Sequence, residues 1–184
     1  IVTDGVSIEI LVKDLVTAYH QRELQPARFQ YKDYCEWQQH PRVHELLQEQ
    51  KRFWLERFNG EIPVLNLPTD FPRRPEFRYT TAQHQFALGT ERSRRIAHFC
   101  QAHKATPYMF FMAVYDVLLA RYSNQQDIVV GTPVAGRNHP DTEAAVGMFV
   151  NTLVLRTGVD PDMTFDDLLD QVRVLGSGRL LLVF

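Results

Sequence analysis

Asp127-Ile128-Val129-Val130-Gly131-Thr132-Pro133-Val134-Ala135-Gly136-Arg137 is the stretch on which the fold turns. Its β-branched run is too short for a helix and reads as a buried strand, which Pro133 is expected to stop because proline has no N–H to give to a ladder. Gly136 to Ala145 then forms a polar loop carrying Arg137, Asn138, His139, Pro140 and Asp141, and Val146 to Leu155 reads as a second strand. On the N-terminal side, Thr106-Pro107 places a capping hydroxyl before a proline at the first helical position. The helix it opens is nearly apolar, through Phe110, Phe111, Val114, Val117 and Leu118 to Tyr122, and is expected to be the central buried helix. On the C-terminal side, Thr164-Phe165-Asp166-Asp167 has capping-box spacing and opens a helix through Leu168, Leu169 and Val172. Helices mixed with a few strands indicate an α/β fold, an α+β layered sandwich.

Farther out, Ile8, Leu11, Leu15 and Tyr19 recur at helical spacing and mark an amphipathic helix from about Val6 to Tyr19, with Asp4 or Ser7 as its cap. Gln21 to Phe29 is a linker, and Tyr31 to Gln38 a short aromatic helix. Val43, Leu46, Leu47, Phe53, Trp54 and Phe58 define a helix that ends near Asn59-Gly60. Pro63, Pro68, Pro72 and Pro75 keep Gly60 to Arg78 irregular, as a functional loop or a crossing strap. Ala82 to Leu88 alternates as a strand, with Phe86 and Leu88 on one face. Arg92 to His103 is helical, and Leu180 to Phe184 is an apolar stub with no visible partner.

The 184 residues are 45% hydrophobic and 23% charged, the composition of a globular protein, and the net charge of -2 gives no excess with which to bind a phosphate backbone. Neither nucleic acid nor a membrane is an expected partner, since no segment reaches the roughly 20 apolar residues of a membrane span. Cys35 and Cys100 form no CxxC pair and are expected to be buried thiols in a reducing, cytoplasmic compartment.

The chain contains no GxSxG, no glycine-rich phosphate cradle and no HExxH. Its histidines, at 20, 40, 44, 84, 98, 103 and 139, form no ligand cluster, so no metal is expected. His103 reads as structural, and His139 as a solvent-facing loop residue or a functional one. Asp4-Gly5 has two readings. One is a helix entry, with the carboxylate as cap and the glycine permitting the bend. The other is a carboxylate paired with a buried arginine that keeps an active-site loop rigid; Arg137 and Arg156 lie near strand ends, but their partners are not legible. Asn151, a polar amide in an apolar strand, needs partners if buried, by structural cross-bonding or substrate contact.

Taken together, these segments resemble the condensation domain of nonribosomal peptide synthetases, in the chloramphenicol acetyltransferase-like superfamily. Ile1-Val2-Thr3-Asp4-Gly5 matches the last five positions of that family's His-His-x-x-x-Asp-Gly motif. Tyr31-Lys32-Asp33-Tyr34-Cys35-Glu36-Trp37-Gln38 resembles its Tyr-x-Asp-Tyr-Ala-x-Trp-Gln, with Cys35 in place of alanine. Phe53-Trp54 and Leu67-Pro68-Thr69-Asp70-Phe71-Pro72-Arg73 are similar to two further segments. Gly131 to Arg137 and Val146-Gly147-Met148-Phe149-Val150-Asn151-Thr152-Leu153 are similar to its Gly-x-Phe-Val-Asn-Thr-Leu core. Gly176 to Phe184 shows nothing like the family's later His-Gln-Asp-x-Pro-Phe-Glu.

The resemblance implies an incomplete acetyltransferase-like fold. Residues 1–20 would end a first lobe, and 21–184 would form most of a second, with a crossing loop at 60–79. The implied reaction is transfer of a carrier-bound acyl or peptidyl thioester to the amine of an acceptor aminoacyl thioester. The motif's second histidine, regarded as catalytic, falls immediately before Ile1, so the 184 residues alone are expected to be inactive. Asp4 and Gly5 would support that histidine, and Arg137, Asn151 and Thr152 are candidates for the scaffold or the substrate channel. Asn151-Thr152 and the intact Asp4-Gly5 favour amide formation over epimerization or heterocyclization. The implied partners are donor and acceptor carrier domains, whose phosphopantetheine arms enter from both sides, and a neighbouring adenylation domain; no cofactor is bound directly. The alternatives are a stand-alone acyltransferase of the same superfamily and a degenerate, non-catalytic docking module.

Overall fold

The structure, a computed structural model, describes residues 2–72, 76 and 81–176. In chain order these form α1 (Gly5–Tyr19), α2 (Tyr31–Gln38), α3 (Pro41–Arg57), α4 (Gly89–Ala102), α5 (Pro107–Ser123), β1 (Asp127–Val134), the short α6 (Pro140–Glu143), β2 (Asn151–Gly158) and α7 (Phe165–Gly176). The helix starts follow local chemistry. Asp4 caps α1 by accepting from the Ser7 amide, Thr106 caps α5 by accepting from Met109, and Thr164 and Asp167 bond reciprocally at the start of α7. The stops follow it too: Asn124 takes the left-handed conformation after α5, and Gly60, at φ 85°, lies just past α3.

Two compact units divide the chain, one built around Ile1–Ile62 and Val130–Leu155, the other around Pro63–Val129 and Arg156–Ser177. In the second unit, Leu168, Leu169 and Val172 of α7 pack on Ala113 of α5, with Phe99 and Phe165 beside them. Each such buried aliphatic side chain contributes roughly 1.5–3 kcal/mol through its removal from water. His103 at the end of α4 stacks on Phe99 at 4.1 Å and reaches Asp166 at 3.4 Å, a structural role. Gln125 staples the irregular connection, accepting from the Asn66 amide at 2.8 Å and donating to the Val64 carbonyl at 3.0 Å. Part of that connection, with Arg73, Pro75 and Arg78, lies outside the described residues, as does the stub at 180–184. In the first unit, Tyr34, Ala145 and Phe149 form a small core with Phe29 and Tyr31.

β1 and β2 pair with one another. The Val159 amide donates to the Gln126 carbonyl at 2.7 Å, and Gly136 lies against the Phe149 carbonyl at the other end. One number rises as the other falls by the same amount, so the pairing is antiparallel with one register from end to end. Arg156 on β2 clasps Asp127 on β1, donating at 2.6 to 3.1 Å, which supplies a partner the sequence left open.

Several expectations need correction. β1 runs through Pro133 instead of stopping there, because with β2 as its neighbour the proline nitrogen can face away from the ladder. Residues 82–88 form no strand: they are almost entirely exposed, and alternation makes a strand only where a partner accepts its backbone bonds. β2 begins at Asn151, not Val146, because the backbone of 147–149 is bonded by side chains from elsewhere in its own unit. A four-residue helix interrupts the expected polar loop. Cys35 is exposed, while Cys100 is buried as expected. The apolar helix α5 buries Ala113, Asp116 and Leu119 but leaves Tyr108, Phe111, Tyr115, Leu118 and Tyr122 exposed, so only one face of it is central.

Asp116 is 1% exposed and faces a hydrogen bond from Thr157 of β2, while its Oδ2 has no partner among the described residues. Burial pushes its carboxyl up to about 6, against the lowering effect of Thr157. A carboxyl raised in the folded state contributes most when protonated, so its contribution is full below pH 4 and is lost as pH rises through 6. In chemical denaturation of the 184-residue chain, Asp116→Asn is expected to gain roughly 3 kcal/mol relative to the wild type between pH 4 and 7. An unchanged difference across that range would show that Asp116 is ionised in both states.

Candidate functional site

The first turn of α1 is built around a buried charge pair. Asp4 and Arg137 are 1% and 5% exposed at the side chain and meet through Arg137 Nη2, 3.0 Å from Oδ1 and 3.2 Å from Oδ2. The separation of 133 residues is bridged because Gly136, at φ 64°, bends the chain after β1 where a Cβ would collide with the Phe149 carbonyl. Arg137 Nη1 donates to the carbonyls of Thr142 and Ala145, the latter at 2.7 Å, and its guanidinium lies 4.2 Å over the Phe149 ring. One arginine thus ties the 137–145 loop to the start of α1.

Asp4 is saturated. Its Oδ1 accepts from the Ser7 amide and the Ser7 hydroxyl, each at 2.8 Å, and its Oδ2 accepts from the Phe149 amide at 3.2 Å. Burial alone would raise its pKa, but the Ser7 amide, the Ser7 hydroxyl, Arg137 and the Phe149 amide outweigh that and hold it down to about 2. Such a carboxylate is a poor base near neutrality and a good strut. Asp4 both caps α1 and pairs with a buried arginine, so the same group does both jobs.

Aromatic residues of α2 brace the same place. Tyr31 donates to the Met148 carbonyl at 3.0 Å and packs edge-on against Phe149 at 5.2 Å, while Tyr34 stands 4.9 Å from Phe149 and stacks on Trp37 at 5.9 Å. Gly147 leaves room for the Tyr31 ring, whose Cγ would lie 2.7 Å from any added Cβ. A cleft of about 320 Å³ adjoins, lined by Phe29, Tyr34, Trp37, Asn138, His139 and Asp141.

Of the residues singled out in the sequence, the structure brings together Asp4 and Arg137. Gly5 is the first residue of α1 and has no positive φ, and among the described residues nothing lies within 4 Å of an added Cβ, so its glycine identity has no steric account among them. Asn151 and Thr152 are exposed at the start of β2, where Asn151 Oδ1 accepts from the Thr152 amide at 2.8 Å. His139 caps α6 by accepting from the Asp141 amide and is exposed. Among the described residues no group of three or more His, Cys, Asp or Glu side chains could hold a metal, and no helix is long and apolar enough to cross a membrane. Sequence reasoning missed Ser7 beyond its candidacy as a cap, and it missed Gly147 to Phe149 as a bonded segment; the only signal was the Val-Gly break before the second strand.

The condensation-domain family model matches residues 1–175. Tyrocidine synthase 3 of Brevibacillus parabrevis is 46% identical over 174 residues, 95% of this chain and 3% of that protein. Bacitracin synthase 3 of Bacillus licheniformis is 40% identical over 173 residues, covering 94% of this chain and 3% of that one. The chain therefore spans only a small part of the curated relatives it matches. Among solved structures, the X-domain in complex with OxyB from teicoplanin biosynthesis superposes with a TM-score of 0.87 at 26% identity, over all of this chain and 43% of that one. SgcC5 from Streptomyces globisporus gives 0.79 at 29%, over 96% and 41%.

Breaking the buried pair from one side leaves an uncompensated charge. Asp4→Asn is expected to destabilise the chain by about 3–5 kcal/mol at pH 7, as read by urea denaturation. Because the Asp4 carboxyl is depressed in the folded state, its contribution is present above pH 4 and is lost as pH falls through about 2. The gap between the variant and the wild type should therefore narrow toward pH 2 without closing, and a constant gap would disprove the linkage.

Proposed function

This chain belongs to the condensation-domain family, and from that premise we propose that it is part of an amide-forming acyltransferase. In the proposed reaction, the amine of an acceptor aminoacyl thioester attacks the carbonyl of a donor acyl thioester; the C–N bond forms, the C–S bond breaks, and the amine proton leaves with the carrier thiol. Both substrates would arrive on the phosphopantetheine arms of carrier domains, with an adenylation domain nearby in the same polypeptide and the cytoplasm as the site of action. Residues 1–20 would close one acetyltransferase-like lobe, and 21–184 would supply most of a second. The exposed apolar residues Ile8, Leu11, Leu15 and Tyr19 of α1 support that division, since a lobe in place would cover them.

The observation that carries the reading is the buried Asp4–Arg137 pair at the start of α1, in the last positions of the His-His-x-x-x-Asp-Gly motif. The motif's second histidine falls immediately before Ile1 and would position or deprotonate the amine and stabilise the tetrahedral intermediate. Asp4 does not touch the reacting atoms; it fixes the backbone from which that histidine would project. Exclusion of water between the lobes would favour aminolysis over hydrolysis. Asn151 and Thr152, exposed at the head of β2, suit a channel wall better than a buried scaffold.

A second reading is a docking module, supported by the X-domain relative whose structure was solved with OxyB bound. Amide formation with loaded donor and acceptor carriers separates the two. The 184 residues alone are expected to give no turnover, and the same domain extended through the motif's histidines is expected to give product. Product from the 184 residues would refute the histidine assignment, and none from the extended domain would favour docking.

A further inference from the structure

Ser7 occupies the third position of α1, where a side chain ordinarily reaches back to the cap residue. Here it reaches the cap residue and well beyond it. Fully buried, its hydroxyl lies 2.9 Å from the Gly147 carbonyl and 3.0 Å from the Gly147 amide, 140 residues away, and accepts from Arg137 Nη2 at 2.9 Å. A hydroxyl has two lone pairs and one proton. The Gly147 amide and Arg137 take both lone pairs, and the single proton is shared between the Gly147 carbonyl and Asp4 Oδ1 at 2.8 Å. One atom thus engages both polar groups of Gly147 and both members of the charge pair.

We propose that Ser7 is a positioning residue for the condensation reaction, clamping Gly147 to the first turn of α1 and so fixing where Asn151-Thr152 stand relative to the end of the His-His-x-x-x-Asp-Gly motif. The segment is held from three directions. Ser7 takes Gly147, the Tyr31 hydroxyl takes the Met148 carbonyl, and Asp4 takes the Phe149 amide. Two residues later the chain enters β2 at Asn151, so an error in the clamp is passed directly to the exposed pair at the strand's head. Helix capping does not account for the contact, because Asp4 already accepts from the Ser7 amide.

The geometric part stands alone, while the catalytic part rests on the proposed function, and two measurements separate them. In the 184-residue chain, Ser7→Ala and the near-isosteric Ser7→Cys are expected to speed amide hydrogen exchange at Gly147 about tenfold or more relative to the core of α7. Uniform acceleration, or none, overturns the clamp. In the extended domain, the same variants are expected to lower kcat about tenfold to a hundredfold per folded molecule with KM for the loaded carriers unchanged. Faster exchange with normal kcat overturns the positioning role, leaving Ser7 structural. If Ser7→Ala does not fold, Ser7→Cys carries both readouts, and an extended wild-type domain without turnover refutes the functional premise and with it the positioning role.

Discussion

Everything around the start of α1 depends on two opposite charges taken out of water together. Burying either alone would be prohibitive, and burying both is sustained only because nearly every remaining donor and acceptor is engaged. Arg137 does this through two loop carbonyls and the Phe149 face, and Asp4 through two amides and a hydroxyl. These partners come from the N-terminal end of the chain and from two segments more than a hundred residues later. The pair joins positions 133 residues apart, so forming it carries the entropy cost of closing a long loop.

The same saturation limits what Asp4 can do. A carboxylate surrounded by donors has its charge spent on holding backbone in place, and it resists protonation at any physiological pH. In the proposed reaction, the chemistry would then come from a neighbour whose orientation Asp4 would secure. That division of labour, with a rigid anionic strut beside a titrating group, is how a reactive side chain is kept to one geometry without the anion entering the reaction.

Much of the fold was legible because its signals are local. Thr106-Pro107, the Thr164–Asp167 box and the Asn59-Gly60 stop act within a few residues, and each lies where the sequence puts it. The family motifs were legible as well. What escaped depends on partners distant in sequence: residues 82–88 alternate correctly but have no ladder, and Val146 to Val150 is strand-like but is spoken for by Ser7, Asp4 and Tyr31. Asp4 and Arg137 were each singled out while their pairing with one another was not, since a buried charge advertises its need for a counterion without naming it. Ser7 looked like an ordinary cap alternative because a small hydroxyl carries no compositional signal of long-range work.

Pro133 has one more consequence, for how this sheet can grow. The Val159–Gln126 bond sets the alternation along β1, so that even-numbered residues turn their backbone groups to β2 and odd-numbered ones turn outward. Proline at 133 therefore leaves a missing donor on the outer edge of β1, whereas β2, from Asn151 to Gly158, contains no proline and offers an unbroken row. A strand added along β1 meets a gap in its ladder, and one added along β2 does not. The sheet is directional: it invites extension on one flank and discourages it on the other, which protects the β1 flank from stray edge-to-edge association.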